Sequence, residues 1–427
     1  MEKKRKRSEV WKVFMEVPDS NPPLVKCSIC NSTLKYYKNT TNLKQHIQFH
    51  NQNQEPRIDD ILLQLFTSTL LPLTLIQNEY FIHFVDSLNP KAKLPSYKTF
   101  ANKIEQLYEE KKLFCKKKLL DITIGSLMID GWSNNSNCFL GLIFHYIKTD
   151  WTIESMLLEF TVFNERHTGD NISLFIENVI IEWNLQNKII AIISDNAANM
   201  IKGKESPNIF NIRCAIHTLH LAILKAIDNN CNNIIEKSHK IINFIKRSTK
   251  TQQKLKYIMI DQLQKDYYTL KLSNQTRWNS IYFMIERLIQ TKLGLIILFE
   301  TEHEELKFKN EEWDELNDLY NILKLCYTTS LQWESEKKGT LSLVIPMIFY
   351  LIQTIQTISI KTENVKNFII TLIYQLQKRK NTLLKNNKQL YFASSFLDIK
   401  FKNLEFLSNF LILINICFLK TLKMFLF

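Results

Sequence analysis

Two cysteines and two histidines near the N-terminus have the types and the spacing of a metal site. Cys27 and Cys30 are separated by two residues, and after a further fifteen come His46 and His50, giving C-x2-C…H-x3-H. Zn2+ takes four tetrahedral nitrogen or sulfur donors, and a two-residue cysteine knuckle plus two histidines one helical turn apart supply all four. With every position filled by protein, the metal is structural and none is left open for catalysis. Residues 24–36 read as a short hairpin carrying the cysteines, and Thr40 or Thr41 can N-cap a helix with both histidines on one face. Near the start of that helix stand Lys38, Asn39, Asn42, Lys44 and Gln45. They suit phosphates and base edges in a major groove; each taken alone also suits an ordinary surface.

A second constellation is acidic. Asp130 closes the apolar run SLMID, and Asp195 closes AIISD. If these runs are neighbouring strands, both carboxylates emerge at one edge, as a two-Mg2+ phosphoryl-transfer site requires. The competing reading is a turn former or helix N-cap, since Gly131 follows the first and Asn196-Ala197-Ala198 the second. Cys214, His217 and His220 form C-x2-H-x2-H without a convincing fourth ligand. Arg277 precedes Trp278; such a pair could hold a phosphate and stack on a displaced base, or the Trp could pack beneath a helix.

The elements that must position these residues follow from pattern. Residues 1–56 form a Cys/His-containing unit with a basic arm, ending in a polar linker at Asn51–Pro56. Residues 57–120 are mostly helical, interrupted at Pro90 and Pro95. Residues 121–230 hold the β-type runs Ser126–Asp130, Phe139–Ile147, Ile153–Phe163 and Ile189–Ser194 with a helix at Asn171–Trp183, which predicts a mixed sheet with covering helices. Residues 231–390 read as helix throughout, and residues 391–427 end in the apolar stretch Phe406–Phe427, broken by Asn409, Asn415, Lys420 and Lys423. A spanning helix wants about 20 mainly apolar residues, so a partly buried helix is the better expectation and no membrane partner is expected.

Composition sets the outer bounds. The 427 residues leave room for two or three domains of roughly 100–200 residues. With 45% hydrophobic and 23% charged residues, a mainly disordered chain is excluded. Seven Gly and nine Pro argue against collagen-like chains and Gly-rich phosphate loops. The 55 Lys+Arg against 42 Asp+Glu give a net charge of +13, for which nucleic acid is the default partner. Eight scattered Cys and no apolar region after the basic start fit a reducing cytosol or nucleus. The run Lys3–Arg7 reads as a nuclear localisation signal or a phosphate-contacting arm.

The N-terminal unit resembles a BED-type zinc finger: Trp11 and Phe14 match its signature aromatics, followed by the Cys pair, Thr41-Asn42-Leu43-Lys44-Gln45-His46 and His50. That resemblance implies sequence-directed binding to double-stranded DNA. Nearly the whole chain is similar to hAT-family DNA transposases, through Leu94–Thr99, Asp130-Gly131-Trp132-Ser133, Ser194–Met200, Arg213–Leu221, Thr276–Ser280 and Phe396–Lys402 in that order. It implies an α+β multidomain chain: a small ββα-type finger, then an RNase H-like α/β domain interrupted by a long all-helical insertion. Asp130 and Asp195 match the family's first two metal-binding acids, and Arg277-Trp278 its Arg-Trp pair near DNA. The family's third acid sits in a Ser-Glu-Arg block beside a dimerisation segment; neither follows Lys402, and Glu405 is the one late candidate. The expectation is a C-terminally truncated, catalytically inactive relative in the nucleus, a possible transcription regulator with protein partners on its helical regions. The alternative is an active or fragmentary transposase.

Overall fold

The computed structural model describes residues 9–18, 20, 23–30, 32–36, 40–52, 58–90, 93–134, 136–197, 199–200, 209–274, 277–300, 303–335 and 338–401. Within them the chain divides into two compact units, Met1–Lys117 and Lys118–Phe427. The run Lys3–Arg7, Lys38, Asn39, Glu405 and the apolar stretch 406–427 lie outside the described residues.

The first unit begins with β1 (Phe14–Val17), β2 (Leu24–Cys27), β3 (Thr33–Lys35) and α1 (Thr41–Gln52). The strands pair antiparallel in the order β1-β2-β3, with Phe14 opposite Cys27. The expected ββα unit therefore carries an extra strand, and α1 runs into the expected linker as far as Gln52. Alternation in Phe-Met-Glu-Val is too short to announce β1, whose Phe14 is nonetheless a core residue. Val10, Phe14, Val25, Cys27 and Leu43 form that core, with Trp11 set edge-on to Tyr36 at 5.1 Å. After it come α2 (Ile58–Thr69), α3 (Glu79–Leu88) and α4 (Tyr97–Lys118), packed around Leu62, Phe66, Ile76 and Phe100. Asn78 caps α3 by accepting the N–H groups of Tyr80 and Phe81, and the segment around Pro90 and Pro95 separates α3 from α4.

The second unit is built on a five-stranded sheet of order β6-β5-β4-β7-β8: β4 (Gly125–Ser133), β5 (Cys138–Ile147), β6 (Ile153–Val162), β7 (Ile189–Ser194) and β8 (Phe210–Arg213). The first three pair antiparallel; β7 joins β4, and β8 joins β7, in parallel. A parallel neighbour needs a crossover, and α5 (Gly169–Glu182), capped by Thr168, supplies it between β6 and β7. Its buried Ile172, Ile176 and Val179 form an apolar stripe at helical spacing. The mixed sheet matches expectation except for β8, whose four residues carry too little pattern to be read.

From Ala215 the chain is helical. The main elements are α6 (Ala215–Asn230), α7 (Asn232–Arg247), α8 (Thr249–Tyr257), α9 (Asn279–Gln290), α10 (Lys292–Leu298), α11 (Asn310–Trp333), α12 (Leu341–Thr357) and α13 (Glu363–Leu397). They share one apolar core that also reaches the sheet through Ala191 and Ile212. No helix among the described residues is long and apolar enough to cross a membrane.

Gly125 opens β4 where a Cβ would meet the Phe144 ring and lie 2.5 Å from the His145 carbonyl oxygen. Backbone in a paired strand cannot step aside cheaply, so Gly125→Ala is expected to lower the unfolding free energy by about 1–3 kcal/mol, read from urea denaturation.

Candidate DNA-binding finger and carboxylate pair

In the finger, β2 ends on Cys27, and the turn after it is held by Cys27 N–H donating to Ser32 O at 2.9 Å and Ser28 N–H to Val13 O at 2.9 Å. This turn brings Cys30 to the first helical face of α1. Cys30 Sγ lies 3.4 Å from His46 Nε2 and 2.7 Å from Ser32 Oγ. The donor atoms of Cys27, Cys30 and His46 all fall within 4.8 Å of one another. Tetrahedral zinc, with sulfur at about 2.3 Å and nitrogen at about 2.0 Å, sets its ligands roughly 3.3–3.8 Å apart, so the cluster fits the ion. The Cys30 thiol is lowered to about 6, first by its hydrogen bonds with Ser32 and then by those with His46 and Cys27, which favours the metal-binding thiolate. His50 follows His46 by four residues on the same helix, the i,i+4 relation that shares a face; its side chain is outside the described residues.

Lys44 and Gln45 are exposed on α1. Asn42 is also exposed, and its Nδ2 donates to Lys35 O at 2.8 Å while its Oδ1 accepts the Leu43 N–H. These bonds tie the helix start to β3.

The acidic pair is set by strand register. Met128 pairs with Ile193 across the parallel β4–β7 ladder, and two residues on stand Asp130 and Asp195. Asp130 lies within β4, opposite Gly141, rather than at the strand end as expected. Its carboxyl is raised, first by lost hydration and then by the Asp195 charge; the Gly131 N–H, Arg277 and His217 oppose this. Asp195 Oδ1 accepts the Ala197 N–H at 3.0 Å. Asn196 Nδ2 donates to Thr218 Oγ1 at 3.0 Å, whose hydroxyl donates to Cys214 O at 2.7 Å, tying the turn after β7 to α6.

The Cys214, His217 and His220 motif thus begins the helix beside the two acids. Desolvation raises Cys214 and lowers His217; Asp130 and Asp195 act on both. His220 is lowered to about 4, chiefly by desolvation, and its Nδ1 accepts the Trp278 backbone N–H at 3.3 Å. Sequence reasoning did not find Arg379 of α13, which acts on both histidines from more than a hundred and fifty residues away and has no local signature. Arg277 is exposed and acts on Asp130. Trp278 is 1% exposed in the helical core. Stacking on a base requires an open ring face, so the packing reading of Trp278 replaces the DNA-stacking one.

Comparison with known proteins agrees with this architecture. Residues 8–52 match the BED zinc finger, residues 128–206 the ZBED1 RNase-like domain and residues 212–322 the ZBED1 RNase-like helical domain. A Zea mays protein named as an AC transposase is 27% identical over 273 residues, covering 59% of this chain and 34% of its own length. The zinc finger BED domain-containing protein RICESLEEPER 2 of Oryza sativa subsp. japonica is 22% identical over 400 residues, covering 77% and 55%. The Hobo transposase of Drosophila melanogaster is 24% identical over 330 residues, covering 67% and 48%. The chain spans between about a third and about half of the length of these relatives.

Two outcomes test the packing of the site. Trp278→Ala is expected to cost about 3–5 kcal/mol of stability, whereas Trp278→Phe leaves DNA affinity unchanged at temperatures where it is folded. His220 is held neutral in the fold, with its value at about 4 against 6.5 when unperturbed. A depressed folded value makes the unfolded chain bind more protons, so stability falls as pH drops from about 6.5 to about 4, and His220→Gln flattens that slope in pH-dependent denaturation. The chain carries segments that match the BED zinc finger and the ZBED1 RNase-like and RNase-like helical domains, and its homologues are hAT transposases and BED zinc finger proteins.

Proposed function

We propose that this chain is a nuclear, zinc-dependent protein that binds double-stranded DNA through its finger, derives from a hAT transposase, does not itself cut or join strands, and acts on transcription. The observation that carries the reading is the Cys27, Cys30 and His46 donor cluster, at ligand spacing, within a segment matching the BED zinc finger. His50 is the fourth ligand on this reading. The zinc does structural work: it pins the knuckle to α1, so that exposed Lys44 and Gln45 present a fixed surface to DNA. Lys38 and Asn39 precede them in sequence and are proposed to join that surface, with Arg277 as a separate phosphate contact. The surplus of thirteen positive charges supplies sequence-independent attraction.

The reading without strand transfer rests on the family resemblance, which implies three acids where the sequence motifs supply Asp130 and Asp195. A second reading, metal-dependent strand cleavage with Mg2+ held by this pair, is favoured by their matched positions on adjacent parallel strands.

Anisotropy of labelled duplexes over a salt series tests the binding. Chelation of zinc, or Cys27→Ser, is expected to abolish the preference for a selected duplex, with zinc restoring it to the chelated wild-type chain. Unchanged preference after chelation overturns the proposal. Lys44→Ala is expected to weaken binding and reduce the slope against log salt by about one.

A further inference from the structure

One face of the five-stranded sheet is closed over its parallel strands and open over its antiparallel ones. Side chains alternate along a strand, so Met128, Asp130 and Trp132 of β4 share a face. Met128 pairs with Ile193 of β7, and Ile193 with Ile212 of β8, which carries that face across the parallel strands. There it is covered: Ile212 and Ala191 belong to the helical core, and Ile193 packs against it. Over β4, β5 and β6 the same face bears Trp132, Phe139 and Val162 in one row, then Phe160 opposite Gly141 and Leu157 opposite Ile143. Trp132, Ile147, Leu157, Phe160 and Val162 are between 38% and 57% exposed. The reverse face holds buried Leu127, Ile129, Leu140 and Leu142, so the open side chains have no part in that core. Single exposed apolar residues are ordinary, but a contiguous set on adjoining strands marks a surface that something covers.

We propose that residues 402–427 of the same chain, which lie outside the described residues, cover this open half of the sheet, with the apolar stretch Phe406–Phe427 laid against Trp132, Leu157 and Phe160. That stretch is apolar except for Ser408, Asn409, Asn415, Lys420, Thr421 and Lys423. At helical spacing all of these but Thr421 fall on one side, which leaves a broad apolar side to set on a sheet. The point of departure suits it. Asn387 of α13 reaches β8, and the end of α13 is pinned to α12, where Ser395 Oγ donates to Ser342 O and Ser342 Oγ to Asp398 Oδ2, both at 2.8 Å. Past Asn387 the helix runs on by about 15 Å, to Leu397. From β8 to β6 is four strand spacings, about 20 Å. About eleven extended residues span both distances, which leaves more than half of residues 402–427 to lie on the face. A second copy competes poorly for the same surface, since a tethered segment meets it at an effective concentration on the order of millimolar. Nucleic acid is disfavoured by the aliphatic Ile147, Leu157 and Val162 around the rings. The inference stands apart from the DNA-binding reading of the finger.

The test uses the full chain, without DNA, carrying the photoprobe p-benzoylphenylalanine in place of Phe160 and prepared as a mixture of light- and heavy-nitrogen chains. Irradiation should join that position to peptides from residues 402–427, light to light and heavy to heavy. The same probe at exposed Tyr374 of α13 should not reach them. Ile414→Asp together with Phe418→Asp, on the apolar side of the segment, should abolish the crosslink, and Lys423→Ala on its polar side should keep it. Removing residues 402–427 should move the Trp132 emission, taken as the difference from the matched Trp132→Phe chain, to longer wavelength, and should raise binding of an apolar-surface dye severalfold. Crosslinks joining light to heavy chains would overturn the proposal, since the face would then belong to a second copy. So would the absence of peptides 402–427 from the crosslinks, an equal yield from Tyr374, or an unchanged Trp132 emission in a shortened chain that still unfolds cooperatively. Should the shortened chain not fold, the crosslinks in the full chain decide. Loss of duplex binding by the finger would leave this inference untouched.

Discussion

Parallel pairing of β7 against β4, with Met128 set opposite Ile193, is the constraint on which the large unit depends. Once that register is chosen, Asp130 and Asp195 fall at matching positions, and two like charges must be accommodated at one edge. The fold answers with a cation and hydrogen bonds, while Asp130 also loses part of its hydration. Arg277 comes from the loop before α9, the Gly131 and Ala197 N–H groups bind the carboxylates, and α6 starts alongside with its histidines. The far helix α13 also reaches the sheet, where Asn387, whose backbone is non-helical, donates from Nδ2 to Asn211 O of β8 at 2.7 Å. A slip of β7 by one residue against β4 would turn Asp195 to the other face, away from Asp130, which β5 holds in place.

The finger answers a different problem. Among its described residues, five buried apolar side chains form the core, few for a unit expected to hold a fixed surface, and small domains commonly need a metal to do so. Cys27 belongs to both the core and the donor cluster, so the position of its sulfur and the packing of Phe14 and Leu43 are linked. The two units thus differ in what they present: a helix beside a Cys/His donor cluster with exposed polar residues in one, and a sheet edge with two acids and a cation in the other.

Much of this was legible beforehand for identifiable reasons. Metal ligands announce themselves by type and spacing, and the long strands β5 and β6 by sustained apolar patterns. Short elements did not: β1 and β8 have four residues each, within which alternation carries almost no information. Trp278 shows a different limit. The pair Arg277-Trp278 reads as a contact unit in sequence, yet the turn at the start of α9 sends one side chain outward and buries the other beneath the helices. Arg379 acts on the motif histidines across a sequence separation that no local pattern spans.

The proposed account is of a protein that grips DNA without breaking it, although it keeps two acids in the places where phosphoryl transfer would use them. The most direct measurement follows one labelled duplex with the full chain and Mg2+, resolving the same reaction as native complexes and as denatured strands. The account predicts a zinc-dependent complex and strands of unchanged length. New strand ends that require Mg2+ and disappear in Asp195→Asn would contradict it.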